Sequence, residues 1–253
     1  MAPVTIEDFQ IGRVVSRTFG VFARNFVTFL MVALLFMLPA LAVDFYLGTP
    51  NYFAAGATRG WMFGALAAVV QLLCPYLLSA ALVRATITDL NGERPGLGSA
   101  LSTGFALFLP VLALALMSLF GIIVGSALLL VPGLMLMCGW SVVIPVRVTE
   151  HTGIMETFGR SWDLTKGYRW KIFGLLIMYF IVAIVLSLVV ALISGVSFAK
   201  AVTVVGSIPY ISLTWLDSVI VGALAAVGAA AIYYELRTVK EGIAPQQLAA
   251  AFD

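Results

Sequence analysis

Polar side chains that interrupt long apolar runs are the residues of this chain best suited to a chemical role. Asp44, Gln71 and Asp217 each lie inside such a run. Burying an ionisable or amide side chain in hydrocarbon is costly, so residues of this kind often line a solute path or hold a ligand. They form a candidate intramembrane polar site. The simpler alternative is that the two aspartates pair with Arg59 and Lys200, or face water at one membrane surface.

Catalysis by a metal ion or by a nucleophile is poorly supported by the residue inventory. His151 is the single histidine, and Cys74 and Cys138 both lie within apolar runs. Thiols in such surroundings usually pack as small hydrophobic residues. The sequence therefore predicts no catalytic residue, no metal site and no cofactor. One alternative function is an enzyme that acts on lipids within the membrane and uses Asp44 and Asp217.

The composition indicates which kind of secondary structure carries the polar residues. The chain has 253 residues, 62% of them hydrophobic and 10% charged, and its mean hydropathy is +1.09. Soluble domains usually carry about a quarter charged residues. These values predict an all-α, polytopic membrane protein. The net charge of +2 gives no basis for nucleic-acid binding.

Six apolar stretches are each long enough for one crossing, which needs roughly 20 residues. They cover 26–46, 61–83, two crossings within 105–146, 172–194 and 210–234. Gly125 and Pro132 mark the turn between the third and fourth crossings. An even number of crossings places both termini on one side. All basic residues except Arg59 and Lys200 fall on that side, so the termini are predicted to be cytoplasmic.

Three amphipathic stretches each precede two crossings, which indicates an internal repeat. Their apolar stripes are Ile11, Val15 and Phe19; Leu97, Leu101 and Phe105; and Ile154, Phe158 and Trp162. We therefore predict one integral membrane domain over residues 1–253, built from three units of interfacial helix plus transmembrane hairpin. The units lie at about 5–83, 95–147 and 153–236, and a cytoplasmic tail follows at 237–253.

The third amphipathic helix belongs to the longest polar segment of the second half, residues 145–171. Gly153 or Thr152 lies where its N-cap belongs, and Glu156 falls in its first turn, where a carboxylate favours the positive end of the helix dipole. Glu156 and Arg160 have the spacing of an i,i+4 ion pair. Gly167 is predicted to end this helix just before the fifth crossing.

Basic residues beside the amphipathic helices are candidate contacts for lipid headgroups. They are Arg13, Arg17, Arg160, Lys166, Arg169 and Lys171. Each cation close to an anionic membrane surface contributes roughly 1 kcal/mol of binding free energy. The alternative is that these cations only orient the chain by the positive-inside rule and hold no lipid.

A set of short motifs in the chain matches a known pattern. They are Val131, Pro132 and Gly133; Pro145 with Glu150; Ser161 and Trp162 with Thr165, Lys166 and Gly167; and Tyr233 and Tyr234 with Arg237, Lys240, Glu241 and Gly242. Together they resemble the membrane domain of the glycerophosphoryl diester phosphodiesterase family, in its free-standing six-span form. In the fused proteins of that family, a separate soluble barrel with two histidines and metal-binding carboxylates carries the activity. The resemblance therefore implies a membrane fold and no catalytic residue.

These features predict a non-enzymatic membrane protein that acts as a lipid-associated scaffold or accessory module of the bacterial cytoplasmic (inner) membrane. Its expected partners are membrane phospholipids, together with another membrane protein or a second copy of the chain, and no nucleic acid. The alternative function is a transporter or channel for a small or lipidic solute, with Gln71 and Asp217 facing its path.

Overall fold

The structure, a computed structural model, describes residues 8–47, 57–193 and 207–242. In these ranges the chain is helical and contains no strand. The helices are α1 (Ile11–Arg24), α2 (Phe26–Leu47), α3 (Ala57–Leu90), α4 (Leu97–Ala106), α5 (Phe108–Leu128), α6 (Leu130–Gly139), α7 (Val143–Glu150), α8 (Ile154–Thr165), α9 (Arg169–Ile193) and α10 (Ile208–Glu241). The predicted start of the first unit at residue 5, Lys200, the Arg59 side chain and most of the predicted tail lie outside the described residues.

Six stretches of the described chain are long and apolar enough to cross a membrane, as the sequence predicted. They are Phe26–Tyr46, Phe63–Leu90, Phe108–Ala127, Val131–Glu150, Arg169–Ile193 and Ile208–Glu241. The all-α prediction and the number of crossings are therefore confirmed, and the chain is a multi-pass membrane protein. The threefold repeat stays a prediction.

The fourth stretch differs from the expected continuous helix, because it is broken at Trp140–Val142 into α6 and α7. Pro145 lacks the N–H that a continuous helix would direct to the carbonyl of Ser141. At the same residue, the Ser141 hydroxyl donates to the Cys138 carbonyl (2.9 Å). Side-chain hydrogen bonds of this kind compete with the backbone hydrogen bonds of a helix. The break lies at the middle of the stretch Val131–Glu150.

Helices α3 and α10 are the two longest, with 34 residues each. At 1.5 Å per residue they measure about 51 Å, well beyond the roughly 30 Å of a bilayer core. They pack against each other and against α2 to form the centre of the bundle, where Leu78, Leu82 and Val227 are fully buried. The last turns of α10 therefore extend past the hydrocarbon and carry polar residues.

The predicted apolar stripes are buried only in part. In α8, Phe158 is buried, whereas Phe105 of α4 is 61% exposed and the buried residues of α4 are Ala100 and Gly104. A side chain added at Gly104 would collide with the Phe36 ring, so the small residues of α4 face the bundle. Small residues favour close helix contact in membranes, and large apolar ones suit the lipid side.

The residues that α1 buries are not those of its apolar stripe. Val14 and Val21 are buried, while Ile11 and Phe19 are exposed. Helix α1 packs along α10, and Phe19 lines the cavity described below.

Helices α5 and α6 form a close hairpin, and the turn between them is at Leu129, between the predicted Gly125 and Pro132. Leu129 is extended, with φ −162° and ψ 146°. A Cβ atom added at Gly133 would lie 2.9 Å from the Cα atom of Ser126. Only a glycine allows the two backbones to approach this closely.

Candidate functional site

A cavity of about 620 Å³ lies between the helices of the bundle. Side chains from α1, α2, α3, α5, α9 and α10 line it, together with the α6–α7 break. Along α10 the lining residues extend from Trp215 to Ile232, which corresponds to about 26 Å at the helical rise per residue. The lining is therefore long enough to follow most of the thickness of a bilayer core, and the cavity is partly open to its surroundings.

The broken fourth crossing faces this cavity. Trp140, Ser141 and Val143 line it. Non-helical backbone at membrane depth is tolerated where protein or a cavity surrounds it, and discontinuous helices mark the binding sites of many transporters. A discontinuous helix that borders a cavity is thus a feature that this chain shares with such transporters.

Helix α8 supplies the hydrogen bonds that the break would otherwise leave unmade. The Gly139 carbonyl accepts hydrogen bonds from the hydroxyls of Ser161 (2.8 Å) and Thr165 (3.3 Å). The N–H of Val143, which would bond Gly139 in a continuous helix, donates to Trp140 instead (3.2 Å). The serine and threonine of the predicted amphipathic helix thus stabilise the break.

Two of the three predicted intramembrane polar residues meet at the cavity wall. The side-chain amide of Gln71 donates a hydrogen bond to the Asp44 carboxylate (2.6 Å), and both residues line the cavity. Asp44 lies 18 residues, or about 27 Å, along α2 from Phe26. The pair is therefore at the end of the bundle opposite to α1.

Asp217 does not join this pair. Its carboxylate accepts a hydrogen bond from the Ser187 hydroxyl (2.7 Å), and it is not among the described residues that line the central cavity. The predicted three-residue site is therefore divided between two places, and the two aspartates share no partner among the described residues.

Glu235 clamps the first helix to the last. Its side chain is 1% exposed and forms ion pairs with Arg13 (Nη2–Oε1 2.7 Å) and Arg17. The Arg17 guanidinium also lies over the Tyr234 ring, 4.9 Å from its centroid. Sequence reasoning did not single out Glu235, because it lies in a polar segment next to the predicted tail. Two arginines predicted as lipid contacts thus bind a buried carboxylate.

A second ion-pair network joins α7, α8 and α10. Glu150 accepts hydrogen bonds from Arg160 Nε (2.8 Å) and the Tyr233 hydroxyl (2.9 Å). Glu241 binds Arg237 (2.7 Å) and also pairs with Arg160. Burial alone would lower the pKa of Arg160, but the hydrogen bonds and charges of Glu150 and Glu241 raise it above its ordinary value. Arg160 therefore holds three helices together as a permanent cation.

The predicted ion pair between Glu156 and Arg160 is replaced by this network. Glu156 does lie in the first turn of α8, as predicted, and it accepts a hydrogen bond from the Gly153 N–H (3.2 Å) and so caps the helix. The cap satisfies a backbone donor that has no helical partner, whereas Arg160 gains two carboxylates by turning to the bundle.

The other basic residues predicted to contact lipid headgroups differ in the partners that they have within the protein. Lys171 pairs with Asp8 (2.5 Å), whereas Lys166 is exposed and has no ion-pair partner in the described chain. The Arg169 guanidinium stacks on Trp162, 3.6 Å from its centroid, and its buried Nε and Nη2 find no acceptor. Whether these residues bind lipid stays a prediction.

Comparisons with known proteins add no further information. No family model matches the chain, and the curated proteins and the solved structures give no match either. Among the described residues, no group of three or more histidine, cysteine, aspartate and glutamate side chains is arranged to hold a metal ion. The fold and the cavity place the chain in one class, the multi-pass helical membrane proteins.

Proposed function

We propose that the protein binds an amphiphilic, lipid-like molecule in its central cavity and acts as a carrier or channel for it. The observation that carries this proposal is the long cavity that the broken fourth crossing faces. It favours the transporter alternative over a scaffold without a ligand, because a bundle that only supports other proteins needs no space of this size in its core.

The dimensions and walls of the cavity support an amphiphile. Its volume of about 620 Å³ falls within the roughly 300–1,000 Å³ of small-molecule sites. Its walls are mostly apolar, and the hydrogen-bonded pair of Asp44 and Gln71 supplies polar groups toward one end. A molecule with one polar group and one apolar chain matches this distribution.

Replacing Ala225 with phenylalanine tests the cavity directly. Ala225 lines the cavity on α10, so a larger side chain fills the space and is expected to weaken binding of dodecanol, a neutral single-chain amphiphile, about fivefold. Native mass spectrometry in a neutral detergent measures the bound fraction. Ala68→Phe is the control, because Ala68 is exposed on α3 and does not line the cavity. Equal binding by both variants contradicts the proposal.

A second function, association with anionic phospholipid, is favoured by a group of cations near the N-terminal end of α9. Lys240 lies within electrostatic range of Lys166 and Arg169, and of the Asp163 carboxylate. None of the three cations forms an ion pair within the described chain. Lys240 donates to the Asp163 carbonyl (2.5 Å). Cations in excess of the nearby carboxylates at a membrane surface attract anionic headgroups.

Neutralising Lys166 tests this second function. Lys166→Gln is expected to reduce retention of phosphatidylglycerol about fivefold, which corresponds to the roughly 1 kcal/mol of one interfacial cation. Native mass spectrometry after delipidation and addition of the lipid measures retention. Arg94→Gln removes an exposed cation from the loop before α4, away from this group, and serves as control. Retention that falls equally in both variants indicates general charge attraction and no site.

The orientation of the chain, its repeated units and its family relation are also part of the proposal. The distribution of basic residues supports cytoplasmic termini and a bacterial cytoplasmic membrane. The shared order of amphipathic helix and two crossings supports three repeated units, and the motifs around Trp162 and Tyr233 support a relation to the membrane domain of glycerophosphoryl diester phosphodiesterases.

A further inference from the structure

The charges on the cavity wall indicate the chemical class of its ligand, an inference that rests on the proposed function. Among the described residues that line the cavity, Asp44 is the only acidic or basic one. None of the basic residues of the described chain lines it. The cavity therefore presents a single carboxyl group in otherwise neutral surroundings.

Asp44 has no cation partner in the described chain. It takes part in none of the ion pairs of that chain, and its one hydrogen-bond donor is the neutral amide of Gln71. Asp44 is half-buried, so the apolar walls beside it remove part of its hydration, and a cation next to it would compensate for that loss. This contrasts with Glu235, for which the chain itself supplies two arginines.

Other groups around the cavity also favour a positive charge. Tyr76, Trp140 and Trp215 line it, and the faces of aromatic rings attract ammonium groups. Pro75, which also lines the cavity, has no N–H and leaves the carbonyl of Gln71 without its usual helical donor. An ammonium group near Asp44 would therefore meet a carboxylate and a carbonyl dipole, and aromatic rings line the same cavity.

We propose that the cavity binds a cationic amphiphile, an amine or quaternary ammonium group attached to an apolar chain, with Asp44 as its counter-ion. The apolar wall formed by α10 between Trp215 and Ile232 receives the chain. Its length of about 26 Å matches an extended hydrocarbon chain better than a compact ring system. Gln71 orients the carboxylate through its hydrogen bond.

Three probes with the same chain and different headgroups test this proposal: dodecyltrimethylammonium, dodecanol and dodecyl sulfate. Native mass spectrometry of the full chain in a neutral detergent gives the bound fraction of each. The cation is expected to bind about tenfold more tightly than dodecanol, and dodecyl sulfate more weakly than both, because only the cation compensates Asp44. In Asp44→Asn the preference for the cation is expected to disappear, and in Asp44→Glu, which keeps the charge, it should persist.

The outcomes distinguish the proposed binding of an amphiphile from the inferred preference for a cationic one. If the three probes bind equally, or if Asp44→Asn keeps the full preference for the cation, the charge assignment is overturned. Dodecanol binding that Ala225→Phe still weakens would then leave the cavity as an amphiphile site. If no probe binds the wild-type chain more than the Ala225→Phe variant, the proposed function and the inference drawn from it both fail. Thermal unfolding of each variant establishes that it is folded.

Discussion

Replacing Glu235 with alanine is expected to lower the free energy of unfolding by about 3 kcal/mol and to release α1 from α10. Removing one partner of a buried ion pair usually costs about 3–5 kcal/mol, because the remaining charge stays buried without compensation. Arg13 and Arg17 keep about a quarter of their side-chain surface exposed, so water can reach them in part. This places the expected loss at the lower end of that range.

Denaturation of the purified protein by sodium dodecyl sulfate measures this loss, and limited proteolysis reports whether α1 has become accessible. Glu93→Gln is a matched control, since Glu93 is an exposed carboxylate between α3 and α4. It is expected to change stability by less than 0.5 kcal/mol, as surface substitutions usually do. Unchanged stability of the Glu235 variant would mean that the clamp contributes nothing to the fold.

Gly133→Ala is expected to destabilise the bundle by about 2 kcal/mol, the second largest effect. The added methyl group would meet the Cα atom of Ser126 at 2.9 Å as well as its hydroxyl. Backbone cannot move aside as a flexible side chain can, so α5 and α6 must separate, and overpacking of this kind costs roughly 1–3 kcal/mol.

Gly174→Ala is the control for this substitution and is expected to have the opposite sign. A Cβ atom at Gly174 in α9 would have no neighbour within 4 Å, and alanine restricts the unfolded chain more than glycine does. An exposed helical glycine replaced in this way usually gains about 0.4–1 kcal/mol. The same detergent denaturation experiment compares the two variants, and equal effects would refute the close approach of α5 and α6.

Features of the fold that depend on local sequence were predictable. The six crossings follow from the length of the apolar stretches, because backbone groups in lipid must be satisfied within a helix. The N-cap position of Gly153 and the place of Glu156 in the first turn of α8 follow from where the amphipathic pattern begins. Both depend on residues that are close in sequence, so no knowledge of the packing was needed.

Contacts between side chains that are far apart in sequence were not predictable. Arg160 had a suitable carboxylate four residues away, yet it binds Glu150 and Glu241 because the end of α10 passes beside α8. The buried position of Glu235 depends in the same way on where α1 packs. The cavity arises from the arrangement of several helices, and a sequence contains no local signal for it.

The break at Trp140–Val142 is an intermediate case. The apolar run continues through Val142 and Val143, so hydropathy indicates one uninterrupted crossing. A signal was nevertheless present, because Pro145 removes the hydrogen bond to the carbonyl of Ser141. Prolines occur in continuous membrane helices as well, as Pro39 and Pro75 show here. A proline alone therefore could not locate the break.

The Glu235 clamp also bears on the order in which the chain assembles during its synthesis. Arg13 and Glu235 are 222 positions apart, so this ion pair can form only after the long segment between them has been made. Until then Arg13 and Arg17 lack the carboxylate that they share in the folded chain. Arg24, at the end of the same helix, binds Asp89, which emerges much earlier. The two ends of α1 are thus fixed by partners that become available at different stages of synthesis.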